Sequence, residues 1–404
     1  MLEWPFSFWT AVVVSMWFAI YESLHEHRCE SVESWYELVR MILSSIGDFI
    51  LIPYHWAFGC EKPTLGYLKS KLNNEIVESC PSLHRFHPTC WLHNPFLSFG
   101  VMLGREFLWE DNVYRREKIV AADGGIIALD WQIDNEDELA LDSPIMFCIS
   151  TLAGDPLCYP NAKTMDHFAN NGYRSVCYVK RGTGVRRMNP YVTAKTWCLN
   201  DYDDVHLAVE HIKNKFPCAK ICAVGLSTGG GQLRNYLARS AKSSKLDAAV
   251  VVDAGFHWSE CVSSLDKRLP LLSYALAQAV LTPYLMFAKT EAGGKSVPIK
   301  TLINVNSFGK LIDKVMAPTN GFGGKTEEYM HYSLPADPKN ISVPCLNIFT
   351  MNDQIISRDK ILENKEYFKC NENILFATTH RGTHVIRWEG LFGQHCWLSQ
   401  VSLE

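Results

Sequence analysis

From about Tyr114 onward the apolar and polar positions of this chain fall into a regular order. Residues 118–122 and 126–131 flank Asp123-Gly124-Gly125 and read as two strands joined by a tight turn. An acidic stretch, 134–142, follows. Short apolar runs then alternate with stretches of helical spacing. The runs are 145–149, 175–179, 221–225, 248–252, 345–350 and 374–377. Helical spacing covers 161–170, about 201–215 and 229–239, and it recurs after each of the last two runs. In 201–215, Val205, Ala208, Val209 and Ile212 share one face. Runs that are apolar throughout are strands covered on both faces, so the pattern predicts an α/β fold with a mostly parallel sheet between helices. The alternation breaks at about 257–340, which is too long for a plain loop and is expected to be a cap insertion. Within it, 269–288 is apolar apart from Gln278 and contains Pro270 and Pro283; it reads either as a packed helical hairpin or as a cap over a binding site.

The first 60 residues form a separate region, leaving 61–404 as the folded domain. Between Glu3 and Glu22 there is no charge, and Trp4, Trp9, Trp17 and Tyr21 sit toward the ends of the run. A bilayer-spanning helix needs about 20 apolar residues, so 4–21 is expected to be a single-pass anchor in an endomembrane such as the endoplasmic reticulum. The Glu3 flank, with no small-residue cleavage site after the run, argues against a cleaved signal peptide. Arg28 and Arg40 lean the body toward the cytosol but stand among five glutamates, so orientation stays open. A second run, 41–58, is broken by Asp48 and Pro53 and is expected to lie on the membrane or against the body.

Composition narrows the function classes. Of 404 residues, 47% are hydrophobic and 12% aromatic, and the formal net charge is −4, which excludes disorder and phosphate-driven nucleic-acid binding. The 14 cysteines include no pair of CxxC motifs and no zinc-finger spacing, so no metal site is expected. Cys148, Cys177, Cys222 and Cys345 fall in strand runs and read as buried thiols, in keeping with a reduced, cytosol-facing domain. The sequon at Asn340-Ile341-Ser342 would matter only in a lumen.

Chemistry enters at Gly225-Leu226-Ser227-Thr228-Gly229, a G-x-S-x-G between a strand run and a helical run. A nucleophile elbow needs that strand, sharp turn and helix, with small residues around the serine so that its Oγ projects from the sheet edge. Ser227 is the expected nucleophile. It needs a base, and the base an orienting carboxylate, both after later strands. Asp353 follows the 345–350 strand and His384 follows the 374–377 strand. Asp253, after the 248–252 strand, and His380 are the rivals.

These residues, with others, make the chain resemble the YheT-like branch of the α/β-hydrolases, which includes bacterial esterases and animal membrane-anchored lipid hydrolases. The resemblance runs from about His87 to Ser402. It is carried by His87-Pro88-Thr89-x-Trp91, Asp123-Gly124-Gly125, Leu129-Asp130-Trp131, Gly172-Tyr173-Arg174, Arg181-Gly182-Thr183-Gly184 and Asp203-Asp204. Further along, Val224-Gly225-Leu226-Ser227, Val343-Pro344, Asp353, His384 and Trp388-Glu389-Gly390 continue it. It implies an α/β-hydrolase fold with Ser227, Asp353 and His384 as the triad and the backbone N–H groups of Thr228 and Leu152 as the oxyanion hole. The implied reaction is hydrolysis of acyl esters, of lipids such as monoacylglycerol or phospholipid, through an acyl-enzyme and without metal or organic cofactor. An acyl-chain site under the cap would fit. The chain departs from the pattern at Ser150-Thr151, where family members carry a Pro-Gly or His-Gly pair, at Thr228 and at Asn352. An acyltransferase with the same triad, and a non-catalytic lipid- or steroid-binding membrane protein, are the alternatives.

Overall fold

The computed structural model describes residues 59–108, 113–133, 139–184, 186–290 and 298–404. The expected anchor at 4–21, the run at 41–58 and residues 134–138 of the acidic stretch lie outside them. The strands are β1 (Thr64–Tyr67), β2 (Tyr114–Val120), β3 (Ile126–Gln132), β4 (Ile145–Ile149), β5 (Arg174–Val179), β6 (Ile221–Leu226), β7 (Ala248–Val252), β8 (Cys345–Thr350) and β9 (Ile374–Thr379). The longer helices are α1 (Lys71–Ser79), α2 (Pro95–Leu108), α3 (Tyr159–Ala169), α4 (Tyr202–Lys215), α5 (Thr228–Ser240), α6 (Trp258–Arg268) and α7 (Pro270–Ala288), with α8 (Trp397–Leu403) at the C-terminus.

The nine strands form one sheet in the order β1-β9-β8-β7-β6-β4-β5-β3-β2. Six central strands, from β5 to β9, run parallel; β1 closes one edge antiparallel to β9, and the β2–β3 hairpin closes the other. The α/β-hydrolase expectation therefore holds at the level of topology. Strand period explains the two-sided core. Ile145, Phe147 and Ile149 of β4 pack with Val205, Val209 and Ile212 of α4 and Leu233 and Leu237 of α5. Met146 and Cys148 point the other way, toward Met165 and Phe168 of α3 and Trp397 of α8.

The sheet puts the exits of β4 and β6 side by side, with Ile149 paired to Gly225. Ser227 turns the chain from β6 into α5 at φ 55° and ψ −120°, outside the region L-residues prefer. Its N–H donates to the Val252 carbonyl at 2.8 Å, and its carbonyl accepts from the Gly231 N–H at 3.1 Å, so neighbouring backbone stabilises the turn. Gly229 then lies so close to β4 that a Cβ would overlap the carbonyl oxygens of Ile149 and Ser150.

The insertion is helical, as expected. One apolar cluster joins Val262 and Leu265 of α6, Val280, Leu281 and Tyr284 of α7, and Phe308, Ile312 and Tyr329 of the shorter helices beyond. The Asp266 carboxylate ties them together, accepting from the hydroxyls of Ser273 and Ser307 and from the Gly309 N–H. The hairpin reading of 269–288 is corrected: α7 is one helix. Pro270 sits in its first turn, where the missing N–H costs nothing, and Pro283 is accommodated within it. Residues 380–387 form the loop that carries His384, and the helix after β9 is α8. Cys148, Cys177 and Cys345 are buried and Cys222 is partly exposed, and all four are free thiols.

The contact at Gly229 makes a sharp expectation. Gly229→Ala should lower stability by roughly 1–3 kcal/mol, because the overlap is with backbone that cannot rotate away. Gly231→Ala, whose added Cβ would meet only the Leu199 side chain, is the milder control. Thermal melting of both variants checks the difference.

Candidate active site

At the carboxyl edge of the sheet, Ser227, His384 and Asp353 arrive from the exits of β6, β9 and β8. The His384 Nε2 lies 2.8 Å from the Ser227 Oγ, and its Nδ1 lies 2.8 Å from Oδ2 of Asp353. A carboxylate only accepts, so Nδ1 carries the proton and Nε2 is left to accept from the serine hydroxyl. The other Asp353 oxygen accepts from the N–H groups of Ile355 and Ile356, at 2.7 and 2.9 Å, which holds the carboxylate in place.

Asp253, the rival acid, is also near. The ligand-capable atoms of Asp253, Asp353 and His384 all lie within 4.8 Å of one another. Both Asp253 oxygens are engaged elsewhere. Arg387 grips them in a fork, 2.8 Å on each side, and Oδ2 also accepts from the Val385 N–H at 2.8 Å. Asp253 thus anchors the loop that carries His384 rather than touching its ring, and its oxygens are not open to a metal ion. Arg387 is buried, and it also donates to the carbonyl of Thr383 and the hydroxyl of Thr379. Gln354 accepts from the Thr383 hydroxyl and the His384 N–H. Gly382, at φ 145°, lies where a Cβ would overlap the Arg387 side chain. Val385 holds φ 62°, an unusual angle for a branched residue and one stabilised by that Asp253 bond. His380, the rival base, is exposed, and its N–H donates to Glu61.

Burial alone would lower the pKa of His384. The adjacent Asp353 carboxylate, with Asp253 behind it, outweighs burial and Arg387, and holds the imidazole above its usual value.

Leu152 and Thr228 line the same cavity as Ser227 and His384. The Ser150–Gly154 loop between them turns tightly, the Gly154 N–H donating to the Thr151 carbonyl at 3.2 Å. Lys180, which follows β5, is fully buried beneath this loop, and burial pulls its ammonium down to about 7. The cavity continues between α2 and the cap, walled by Phe99, Met102, Val262, Leu265, Leu272 and Leu276. Arg387, Gln354 and Lys180 escape the sequence reading. The signal for Arg387 is a lone cation in the apolar run 385–388; Gln354 and Lys180 carry no comparable mark.

No family model matches the chain. It is similar to Phospholipase ABHD3 of Bos taurus, 26% identical over an alignment of 373 positions that covers 86% of each chain. It is also similar to Monoacylglycerol lipase ABHD2 of Homo sapiens, 20% identical over 365 residues, covering 85% of this chain and 84% of that one. Among solved structures, the Pyrococcus furiosus esterase Pf2001 is 14% identical with a TM-score of 0.42, covering 68% of this chain and 85% of its own.

The two carboxylates are separable by experiment. Asp253→Asn should cost about 3–5 kcal/mol, since it leaves the buried Arg387 without its counter-charge. Asp353→Asn should leave melting closer to wild type but bring the His384 pKa down, read from its imidazole NMR titration. In the wild type that titration should fall above the ordinary 6.5.

Proposed function

We propose that the chain is a serine hydrolase that cleaves carboxylic esters of lipids through Ser227, His384 and Asp353. The relatives named above are a phospholipase and a monoacylglycerol lipase, similar to this chain over most of its length. The observation that carries the reading is the unbroken relay from the Ser227 Oγ through His384 to Asp353, 2.8 Å at each step.

Ser227 attacks the ester carbonyl while His384 Nε2 takes its proton. Asp353 holds the tautomer and stabilises the imidazolium. The carbonyl oxygen, now an oxyanion, is received by the N–H groups of Thr228 and Leu152. His384 returns the proton to the leaving alcohol, and the acyl group stays on Ser227. Water, deprotonated by His384, then attacks the acyl carbonyl; His384 returns the proton to the Ser227 Oγ, and the fatty acid leaves. Every step is acid–base or nucleophilic, and side chains and backbone N–H groups of the chain supply each role.

The walls support the substrate class. The cavity beside Ser227 is about 220 Å³. That is below the roughly 300–1,000 Å³ of pockets that engulf a drug-sized ligand. Lined mostly by leucine, valine, methionine and phenylalanine, with Glu106 among them, it suits one acyl chain, with the head group left at the mouth. Leu271 and Tyr274 of α7 and Ile299 and Ile303 beyond it are exposed on the cap and supply an apolar surface for a lipid aggregate. Membrane attachment through residues 4–21 belongs to the same proposal. Among the described residues only α7 is long and apolar enough to cross a membrane, and it is packed into the cap.

A fluorophosphonate probe should label the folded wild type and not Ser227→Ala; an unlabelled, well-folded wild type would remove the hydrolase reading. Ester hydrolysis by Asp353→Asn should fall about 10⁴-fold in kcat. Because only neutral His384 can accept the proton, kcat/KM should decline as the pH is lowered through a value above 6.5. Product analysis with a lipid alcohol present separates water from alcohol as the acyl acceptor. Deleting residues 4–21 should move the protein from the membrane to the soluble fraction of a cell lysate.

A further inference from the structure

Lys180 is a cation that the reaction described above does not use, and its surroundings are unusual. It leaves the sheet just after β5, whose Tyr178 pairs with Ile149, so it stands beside the exit of β4. Its side chain is wholly buried. Among the described residues no carboxylate forms an ion pair with it within 4.0 Å. The nearest ring, Trp197, has its centroid 5.7 Å from Nζ. All of its hydrogen bonds go to one place. Nζ donates to the Ser150 carbonyl, to the Ser150 hydroxyl at 3.3 Å and to the Thr151 carbonyl at 2.8 Å. An ammonium has three donors, and two adjacent residues take all three.

Burying a cation without an anion is expensive, which is why burial pulls this ammonium down to about 7. Near neutral pH the neutral amine, itself holding two N–H donors, is therefore populated beside it. An apolar side chain of the same length would avoid the cost. What the cation does here is fix a peptide plane. The Thr151 carbonyl and the Leu152 N–H are the two ends of one planar trans amide, so holding the oxygen on one side aims the hydrogen to the other. Thr151 carries a Cβ and cannot adopt the dihedrals open to glycine, so the plane needs an external hold. A charged donor on a carbonyl also polarises its amide and strengthens the opposite N–H as a donor.

We propose that Lys180 is a positioning residue that clamps the Ser150–Thr151 backbone and presents the Leu152 N–H to the oxyanion. The inference rests on the serine-hydrolase reading given above. Lys180 touches no reacting atom; it acts through the Thr151–Leu152 peptide. Its contribution grows as negative charge develops on the carbonyl oxygen, so it belongs to the transition state rather than to substrate binding.

The test compares wild type with Lys180→Met, which keeps the length and loses the donors, and Lys180→Gln, which keeps two N–H donors. Hydrolysis of a medium-chain p-nitrophenyl ester gives kcat and KM. Two inhibitors report separately. A trifluoromethyl ketone with an alkyl tail forms an adduct whose oxyanion sits in the hole, and an alkyl ether of matching tail binds without one. Lys180→Met should lower kcat about 10–100-fold and weaken the trifluoromethyl ketone by a similar factor. KM and ether binding should stay within about twofold, and Lys180→Gln should recover part of the loss. An unchanged kcat, or equal weakening of ketone and ether, overturns the assignment. So does failure of both variants to fold, which would make Lys180 a purely structural residue. If folded wild type neither turns over the ester nor takes a fluorophosphonate label, the serine-hydrolase reading itself has failed, and this inference falls with it.

Discussion

The backbone of α5 touches the backbone of β4 at Gly229, with no side chain between them. That contact is possible because β4 and β6 are parallel neighbours in register, Ile149 beside Gly225. It brings two loops from different strands to one point on the carboxyl edge of the sheet. Ser227 heads one, and Ser150 to Gly154 forms the other. Move the helix outward by the width of a methyl group and Ser227 leaves the Ser150–Gly154 loop. The unfavourable φ of Ser227 is tolerated because the turn is bonded on both sides, to Val252 below and Gly231 ahead.

Two carboxylates lie near one imidazole, and their roles are separated by a guanidinium. Without Arg387, Asp253 would be a second buried negative charge beside His384 with no cation to offset it. The fork to Arg387 makes Asp253 part of a buried neutral pair, and its remaining bond, to the Val385 N–H, sets the course of the loop. Asp353 is left as the acid in contact with the ring, stabilised by backbone N–H groups rather than by a cation. A cation beside Asp353 would compete with the imidazole for its charge; backbone dipoles do not.

This division shows where the sequence is legible and where it stops. The central strands are buried on both faces and so read as plain apolar runs; β4, β7 and β8 match their expected bounds residue for residue. β1, four residues on an antiparallel edge with only Gly66 buried, has too little apolar character to be seen. Order and spacing along the chain favour Ser227, Asp353 and His384 but leave Asp253, another acid after a strand, as a rival. What distinguishes them is Arg387, 134 positions beyond Asp253, a pairing formed only in the folded chain. Lys180 is silent for the same reason, since two of its three partners are main-chain oxygens, which every residue has.

The apolar surplus in 269–288 has a physical owner. A surface helix of a globular domain is apolar along one stripe, because it has one neighbour to pack against. α7 is apolar all round because it has several. Val280, Leu281 and Tyr284 face the cap core, Leu272 and Leu276 face the slot beside Ser227, and Leu271 and Tyr274 face outward. A hairpin of the same residues would bury one face against itself and leave too little to wall the slot. Keeping a single helix through Pro283 costs a backbone hydrogen bond, and it keeps a continuous apolar surface from the cap core to the nucleophile. An acyl chain entering there exchanges water for hydrocarbon along most of its length, meeting polar groups at its ester end and at Glu106, whose carboxyl burial pushes up.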